Sequence, residues 1–261
     1  MTTEEFISEL FYRIDDAMAD MPKHPLANLW PSEIVTLGVL FALKGVGNRA
    51  FYRWLSRDWR PLFPALPERT RLFRLLAAHQ QWTETFLAAP SVLGVGDSYG
   101  IELLHPMREG RSPQQIGRKG KSNHRWIVGG KLCLLLNHLG LVVAWDCAGA
   151  NAPDSAFHPR IEAFEEDMIV LSETAFHAQE GDPPNLKLCA RGTWNTRMLV
   201  ETVLSMLTGV CHLKQVLHRT WVAFQARLAF TLATFNLLVQ WHGLKPDSQG
   251  IIRLSLAEFS L

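Results

Sequence analysis

The stretch Ser91 to Leu104, S-V-L-G-V-G-D-S-Y-G-I-E-L-L, places an acid where an apolar strand is expected to continue. Val92, Leu93 and Val95 read as a short β-strand, and Asp97 follows between Gly96 and Ser98. An ionised carboxylate in that setting is costly unless it has a partner, and a divalent metal ion is one such partner. Gly-Asp-Ser also suits a turn at a strand end, so the company Asp97 keeps decides between the two readings.

Working outward, further strand candidates are His124 to Leu136, Leu141 to Trp145, Met168 to Leu171 and Leu186 to Ala190, with Asn137-His138-Leu139-Gly140 as a hairpin turn. A helix opens at Pro153-Asp154 and runs through Phe164, and the segment from about Thr193 to Trp241 is helical. Three hairpin-linked strands, a helix, a fourth strand, a fifth and then helices is the order expected of a ribonuclease-H-like α/β domain, a mixed sheet flanked by helices. A doubly wound nucleotide-binding fold would need a helix between each early pair of strands and a glycine-rich phosphate loop, and the sequence offers neither.

Residues 1 to 90 read as helices only. Glu4 to Met21 is amphipathic, Pro31-Ser32-Glu33 opens a helix that Gly45 and Gly47 end, Ala50 to Leu55 is a short third, and Arg69 to Leu87 is a fourth. The expected division is therefore a small all-helical domain over 1–90, possessing a basic face suited to DNA, a catalytic domain over 91–245 and a tail over 246–261. The run Trp221 to Trp241 approaches the length that spans a bilayer, but it holds Gln225, Arg227, Asn236 and Gln240, so a buried helix is expected.

The chain has 261 residues, 48% hydrophobic and 20% charged, enough to bury a substantial core. A formal net charge of +1 is silent about nucleic acid, but the distribution is uneven. From Lys44 to Arg74 eight basic residues face only Asp58 and Glu68, and from Arg108 to Lys131 seven face only Glu109. The block Arg108 to Arg125, with Gly110, Gly117 and Gly120 interleaved, reads as a flexible loop whose charges suit phosphates, or else as a solvated hairpin loop. His124 and Trp126 read as packing residues, and Asp154 as a carboxylate in the first turn of its helix. Cys133, Cys147, Cys189 and Cys211 form no C-x-x-C pair, which argues against zinc and fits reduced thiols in a cytoplasmic protein. The acidic start, with Glu4, Glu5 and Glu9, is not that of a signal peptide.

If the strand order holds, the first and fourth strands are neighbours, so Asp97 approaches Glu173, which follows Ile169-Val170-Leu171. In the helix Trp194 to Leu207, apolar Leu199, Val200, Val203, Leu204 and Leu207 form one face, while Arg197, Glu201, Ser205 and Thr208 fall on another. Glu201 can then point back at the strand ends. Three converging carboxylates are what oxygen-loving Mg²⁺ requires, and two such ions about 3.5–4 Å apart clamp both oxygens of a phosphoryl displacement.

Here the sequence resembles the DDE transposases of bacterial insertion sequences, over roughly Pro31 to Trp241. The carriers are G-V-G-D-S at the first acid, Gly129-Gly130-Lys131-Leu132 in the second strand, L-S-E-T-A-F at the second acid and W-N-T-R-M-L-V-E at the third. P-S-E-I-V-T-L and F-P-A-L-P also look like the family's helical domain. The last acid motif is similar to the family's Y-x2-R-x3-E-x6-K signature: Arg197 and Glu201 match, Trp194 stands for Tyr and Thr208 for Lys, and Lys214 lies six residues further on. Position 173 is Glu where the family has Asp, which puts activity in question, because metal separation tolerates little displacement.

The resemblance implies an enzyme that cuts double-stranded DNA at transposon ends and joins the freed 3′ hydroxyl to target DNA, working as a homodimer on DNA with two Mg²⁺ (or Mn²⁺) ions. It makes Asp97, Glu173 and Glu201 the catalytic and metal-holding acids, and Arg197, Arg118, Lys119, Lys121, Arg125, Lys131 and Lys214 the DNA contacts. Two other readings stay open: a decayed or repurposed copy that binds DNA without cutting, and a stand-alone nuclease of the same fold.

Overall fold

The computed structural model describes residues 1–122, 125–190, 196–215 and 218–243, and for residues 196–198 the backbone alone. The segment expected as a tail, 246–261, lies outside the described residues.

Local chemistry starts the first helices. Helix α1 (Thr3–Ala17) is capped by Thr2, whose hydroxyl accepts from the Glu5 N–H at 3.2 Å while the Glu5 carboxylate accepts from the Thr2 N–H at 2.7 Å. Helix α2 (Pro31–Lys44) begins with proline and ends at Gly45, whose φ of 61° is a left-handed stop. Helices α3 (Asn48–Asp58) and α4 (Arg69–Ala78) follow. The expected helix Arg69 to Leu87 breaks at His79 into a 3-10 turn, Gln80–Phe86, where the His79 ring stacks on Trp82 at 4.1 Å.

The sheet has six strands among the described residues: β1 (Leu93–Leu104), β2 (Arg118–Ser122), β3 (Arg125–Asn137), β4 (Val142–Gly149), β5 (Ile169–Glu173) and β6 (Leu186–Cys189). Strand β3 runs antiparallel to β1 on one edge, and on its other edge it pairs β2 near its start and β4 further along. Strand β1 is parallel to β5, and β5 to β6, so the first and fourth expected strands are indeed neighbours. The β4-to-β5 connection is a 3-10 turn, Asp154–Phe157, leading into the short α5 (His158–Glu162). Helices α6 (Thr196–Gly209) and α7 (Trp221–His242) close the described chain. The result is a mixed α/β structure with helices on both faces of a mixed sheet.

Two further features depart from the sequence reading. Within the basic block, Arg118–Ser122 is not a flexible loop but a strand, because the first residues of β3 extend beyond β4 and offer their backbone groups to a partner. Gly120 fits that strand because a Cβ there would lie 1.9 Å from the Ala150 carbonyl oxygen. Trp126 is 59% exposed rather than packed, with the Lys119 ammonium 5.7 Å from its ring centre, and His124 lies outside the described residues.

Alternation splits the core. Leu132, Leu134 and Leu136 of β3 face the helices α6 and α7, whereas Cys133 and Leu135 face α5, Phe157, Phe176 and Leu186. Helix α7 is apolar all round and buried along most of its length, as such a helix must be. It is the one helix among the described residues long and apolar enough to cross a membrane by length and composition. It packs against α2 so closely that a Cβ at Gly38 would lie 2.3 Å from the Phe230 ring. One buried cluster thus continues from α1 through α7 to the sheet, across residue 90. Asn236 of α7 fastens the join: its amide donates to the carbonyls of Phe86 (2.9 Å) and Val142 (2.8 Å) and accepts from the Val142 N–H (2.9 Å).

Candidate active site

The last parallel pair between β1 and β5 is Val95 with Leu171, so counting two residues on brings Asp97 level with Glu173. Glu173 ends β5, whereas β1 runs on past Asp97 to Leu104, so the acid expected after a short strand lies inside a long one. The Ser172 hydroxyl donates to the Gly96 carbonyl at 2.8 Å and holds the strands together at that point. By parity Asp97 lies on the face of Val95 and Ile101, the face that α6 covers. Helix α6 buries Val200, Val203 and Leu207 there, and one step round it Glu201, Leu204, Ser205 and Thr208 line an open cleft of ≈ 650 Å³. Asp97 and Glu173 line the same cleft. The three acids singled out in the sequence therefore share one cavity. The Asp97 carboxylate accepts from the Ser98 N–H at 2.7 Å. The turn after Glu173, Thr174–Phe176, is pinned by the His158 ring, whose Nε2 is 2.6 Å from the Phe176 carbonyl oxygen.

A fourth acid enters the cleft. Asp154 accepts from the Ser98 hydroxyl at 2.6 Å and from the Lys131 ammonium at 2.9 Å, and both charged side chains are only about 15% exposed, at 16% and 15%. Asp154 does open a helical turn, but its carboxylate is spent on Lys131 and Ser98. The signal available in the sequence was Lys131 itself: a lysine inside G-G-K-L-C-L is half-buried by its neighbours and needs an anion. Lys131 stands opposite Gly100, where a Cβ would lie 2.5 Å from the Ser122 hydroxyl oxygen.

Lysines balance the acids. Lys121, Lys131 and Lys214 line the cleft, and the Lys214 ammonium is 5.5 Å from the Tyr99 ring centre. The other basic residues expected at DNA stand apart from it. Arg118 lines a separate depression beside Trp221, Lys119 pairs with Glu109 at 3.0 Å, and Arg125 pairs with Glu102 at 3.3 Å. The side chain of Arg197 lies outside the described residues. Cys133, which pairs with Ser98 across the strands, is buried, and burial together with the charges of Asp97, Asp146 and Asp154 pushes its thiol well up. Cys133 is therefore a core thiol beside the cleft and not a thiolate nucleophile.

The donor chemistry, carboxylate oxygen throughout, suits a hard cation such as Mg²⁺ or Mn²⁺. The spacing in this arrangement does not: among the described residues no three His, Cys, Asp or Glu side chains stand close enough together to hold a metal ion. Ionised carboxylates repel one another, and the Lys131 pair withdraws Asp154 from any such set. The cleft is therefore a shared acidic cavity with embedded ammonium groups, suited to receiving a phosphate between cations and acids. The chain matches no protein-family model, no curated protein and no solved structure.

Proposed function

We propose that the chain is a DDE-type DNA transposase with a ribonuclease-H-like catalytic domain, cutting double-stranded DNA at transposon ends and transferring the freed 3′ hydroxyl to a target. The observation that carries the reading is the level placement of Asp97 and Glu173 on parallel strands, with Glu201 from α6 facing the same cleft. The strand order β4-β3-β1-β5-β6, with β2 beyond the end of β4, supports the fold assignment. Asp97, Glu173 and Glu201 supply the oxygen donors this reading needs for Mg²⁺ or Mn²⁺, but they would have to draw closer than they stand here to hold an ion, whose chemistry would be to activate the attacking oxygen and stabilise the leaving one. Lys121, Lys131 and Lys214 neutralise the phosphate that enters, and the Ser98 N–H orients the Asp97 carboxylate. On this reading the protein acts in the cytoplasm as a homodimer on DNA.

A second reading has its own support: Glu at position 173, and the wide spacing of the acids, favour a repurposed copy that binds DNA without cutting. Incubating the protein with a supercoiled plasmid, a labelled 3′-hydroxyl oligonucleotide from the DNA flanking its gene, and Mg²⁺ or Mn²⁺ separates the cases. Covalent joining of label to plasmid supports the transposase. Nicking without joining indicates a nuclease, and binding without either indicates the repurposed copy.

A further inference from the structure

On the far side of Lys214 from the acids lies a second open cavity of ≈ 650 Å³, walled by Gly47, Asn48, Gln215, His218 and Arg219 as well as Lys214. No acid lines it. Among the described residues neither Lys214 nor Arg219 is in an ion pair with a carboxylate, whereas Lys119, Arg125 and Lys131 all are. Two helices begin at its wall. Gly47 is the N-cap of α3 and supplies no side chain to the first free N–H groups, whereas Thr220, the N-cap of α7, already accepts from the Ala223 N–H at 3.4 Å and leaves fewer of them free. Helix N-termini present unpaired N–H groups and a partial positive charge.

Behind Phe41, which lines the cavity, lies a buried cation of the same polarity, with its guanidinium carbon 4.5 Å from the Phe41 ring centre. Arg227 lies one turn beyond Ala223, a wall residue, and is 2% exposed. Its guanidinium donates to the carbonyls of Phe41 and Ala42, Nε has no partner, and no carboxylate pairs with it among the described residues. Its field reaches the cavity: burial, and then the Arg227 charge, bring the His218 imidazole down to about 4, so that ring is neutral at physiological pH and free to share a hydrogen bond. Two exposed cations and the starts of two helices thus line the cavity, a buried cation lies behind its Phe41 wall, and no acid among the described residues compensates them.

We propose that this cavity seats a backbone phosphate of the nucleic-acid strand whose adjoining segment enters the acidic cleft. Lys214, which lines both cavities, bridges the two phosphates, and Arg219 with the start of α3 holds the outer one. This assignment rests on reading the cleft as a nucleic-acid-processing site. It extends the DNA path from the sheet onto the N-terminal helices and gives residues 45–48 a part in binding.

The test is fluorescence anisotropy of a labelled duplex with the full-length protein at several salt concentrations. Arg219→Ala removes an exposed cation, and Asn48→Asp places an anion at the first position of α3, where it favours the helix and cannot be excused as unfolding. Each variant is expected to weaken binding by about fivefold or more, and Arg219→Ala to make the slope of log affinity against log salt shallower by about one, with melting temperature unchanged. Arg13→Ala, far from the cavity on α1, is expected to leave affinity and slope as they are. Unchanged affinity and slope in both cavity variants, with DNA still bound, overturn the cavity assignment and leave the reading of the cleft standing. No DNA binding by the unmodified protein overturns both, and a pyrophosphate-induced rise in melting temperature that Asn48→Asp removes would then mark a site for free anions.

Discussion

Replacing Lys131 with methionine keeps the unbranched stem and its packing and removes only the ammonium. Asp154 is then left with the Ser98 hydroxyl as its donor, in a setting where its side chain is 16% exposed. Breaking a fully buried pair costs about 3–5 kcal/mol, and breaking an exposed one about 0–1 kcal/mol. A pair at 2.9 Å with side chains 15% and 16% exposed falls between: water is largely excluded, but the serine donor remains. The expected loss for Lys131→Met is therefore about 2 kcal/mol. Adding Asp154→Asn removes the stranded charge, so the double variant is expected to recover about 1–1.5 kcal/mol relative to the sum of the single losses. Urea unfolding of the four proteins gives these numbers, provided the slope m is the same in each. Strict additivity, or a loss below about 0.5 kcal/mol for Lys131→Met, would show that the pair does not hold the cleft together and would refute the argument.

Three further outcomes follow from the same geometry. Asn236→Leu strands the Val142 N–H and the Phe86 carbonyl, the Val142 carbonyl keeping the Ala88 N–H, and is expected to cost about 3 kcal/mol in urea unfolding, a loss under 1 kcal/mol being incompatible with its role. Burial pushes the thiols of Cys147 and Cys211 up to about 12 and that of Cys133 higher still, so native protein at pH 8 is expected to take up one equivalent of iodoacetamide, at half-exposed Cys189; rapid labelling of more than one thiol contradicts this. Glu173→Asp shortens the second acid by one methylene and is expected to raise Mg²⁺-dependent DNA cleavage, so equal rates for both proteins would show that this position is not limiting.

The strands that form the centre of the sheet could be read from their composition, because Val, Leu and Ile in short runs bounded by glycine suit a sheet buried on both faces. The approach of Asp97 to Glu173 was legible in part: parallel neighbours share a direction, but Asp97 lies inside β1 rather than at its end, and it is the register, Val95 with Leu171, that sets the two acids level. Strand β2 was hidden. Arg-Lys-Gly-Lys-Ser has little intrinsic preference for extended structure, and it pairs because β3 outruns β4. The role of Asp154 was hidden by a local explanation that is also true, since it does begin a turn. The passage of α7 between the N-terminal helices is tertiary: an apolar helix announces that it will be covered but not by what.

Nicking of a supercoiled plasmid by the unmodified protein, Asp97→Ala and Glu201→Ala, each with Mg²⁺ and with Mn²⁺ and alongside a DNA-binding measurement, tests the three-acid cleft most directly. The expected result is nicking by the unmodified protein that is weak in Mg²⁺ and stronger in Mn²⁺, and none by either variant, with DNA affinity retained in all three. Nicking by Asp97→Ala at the rate of the unmodified protein would contradict the assignment of this cleft as the catalytic site.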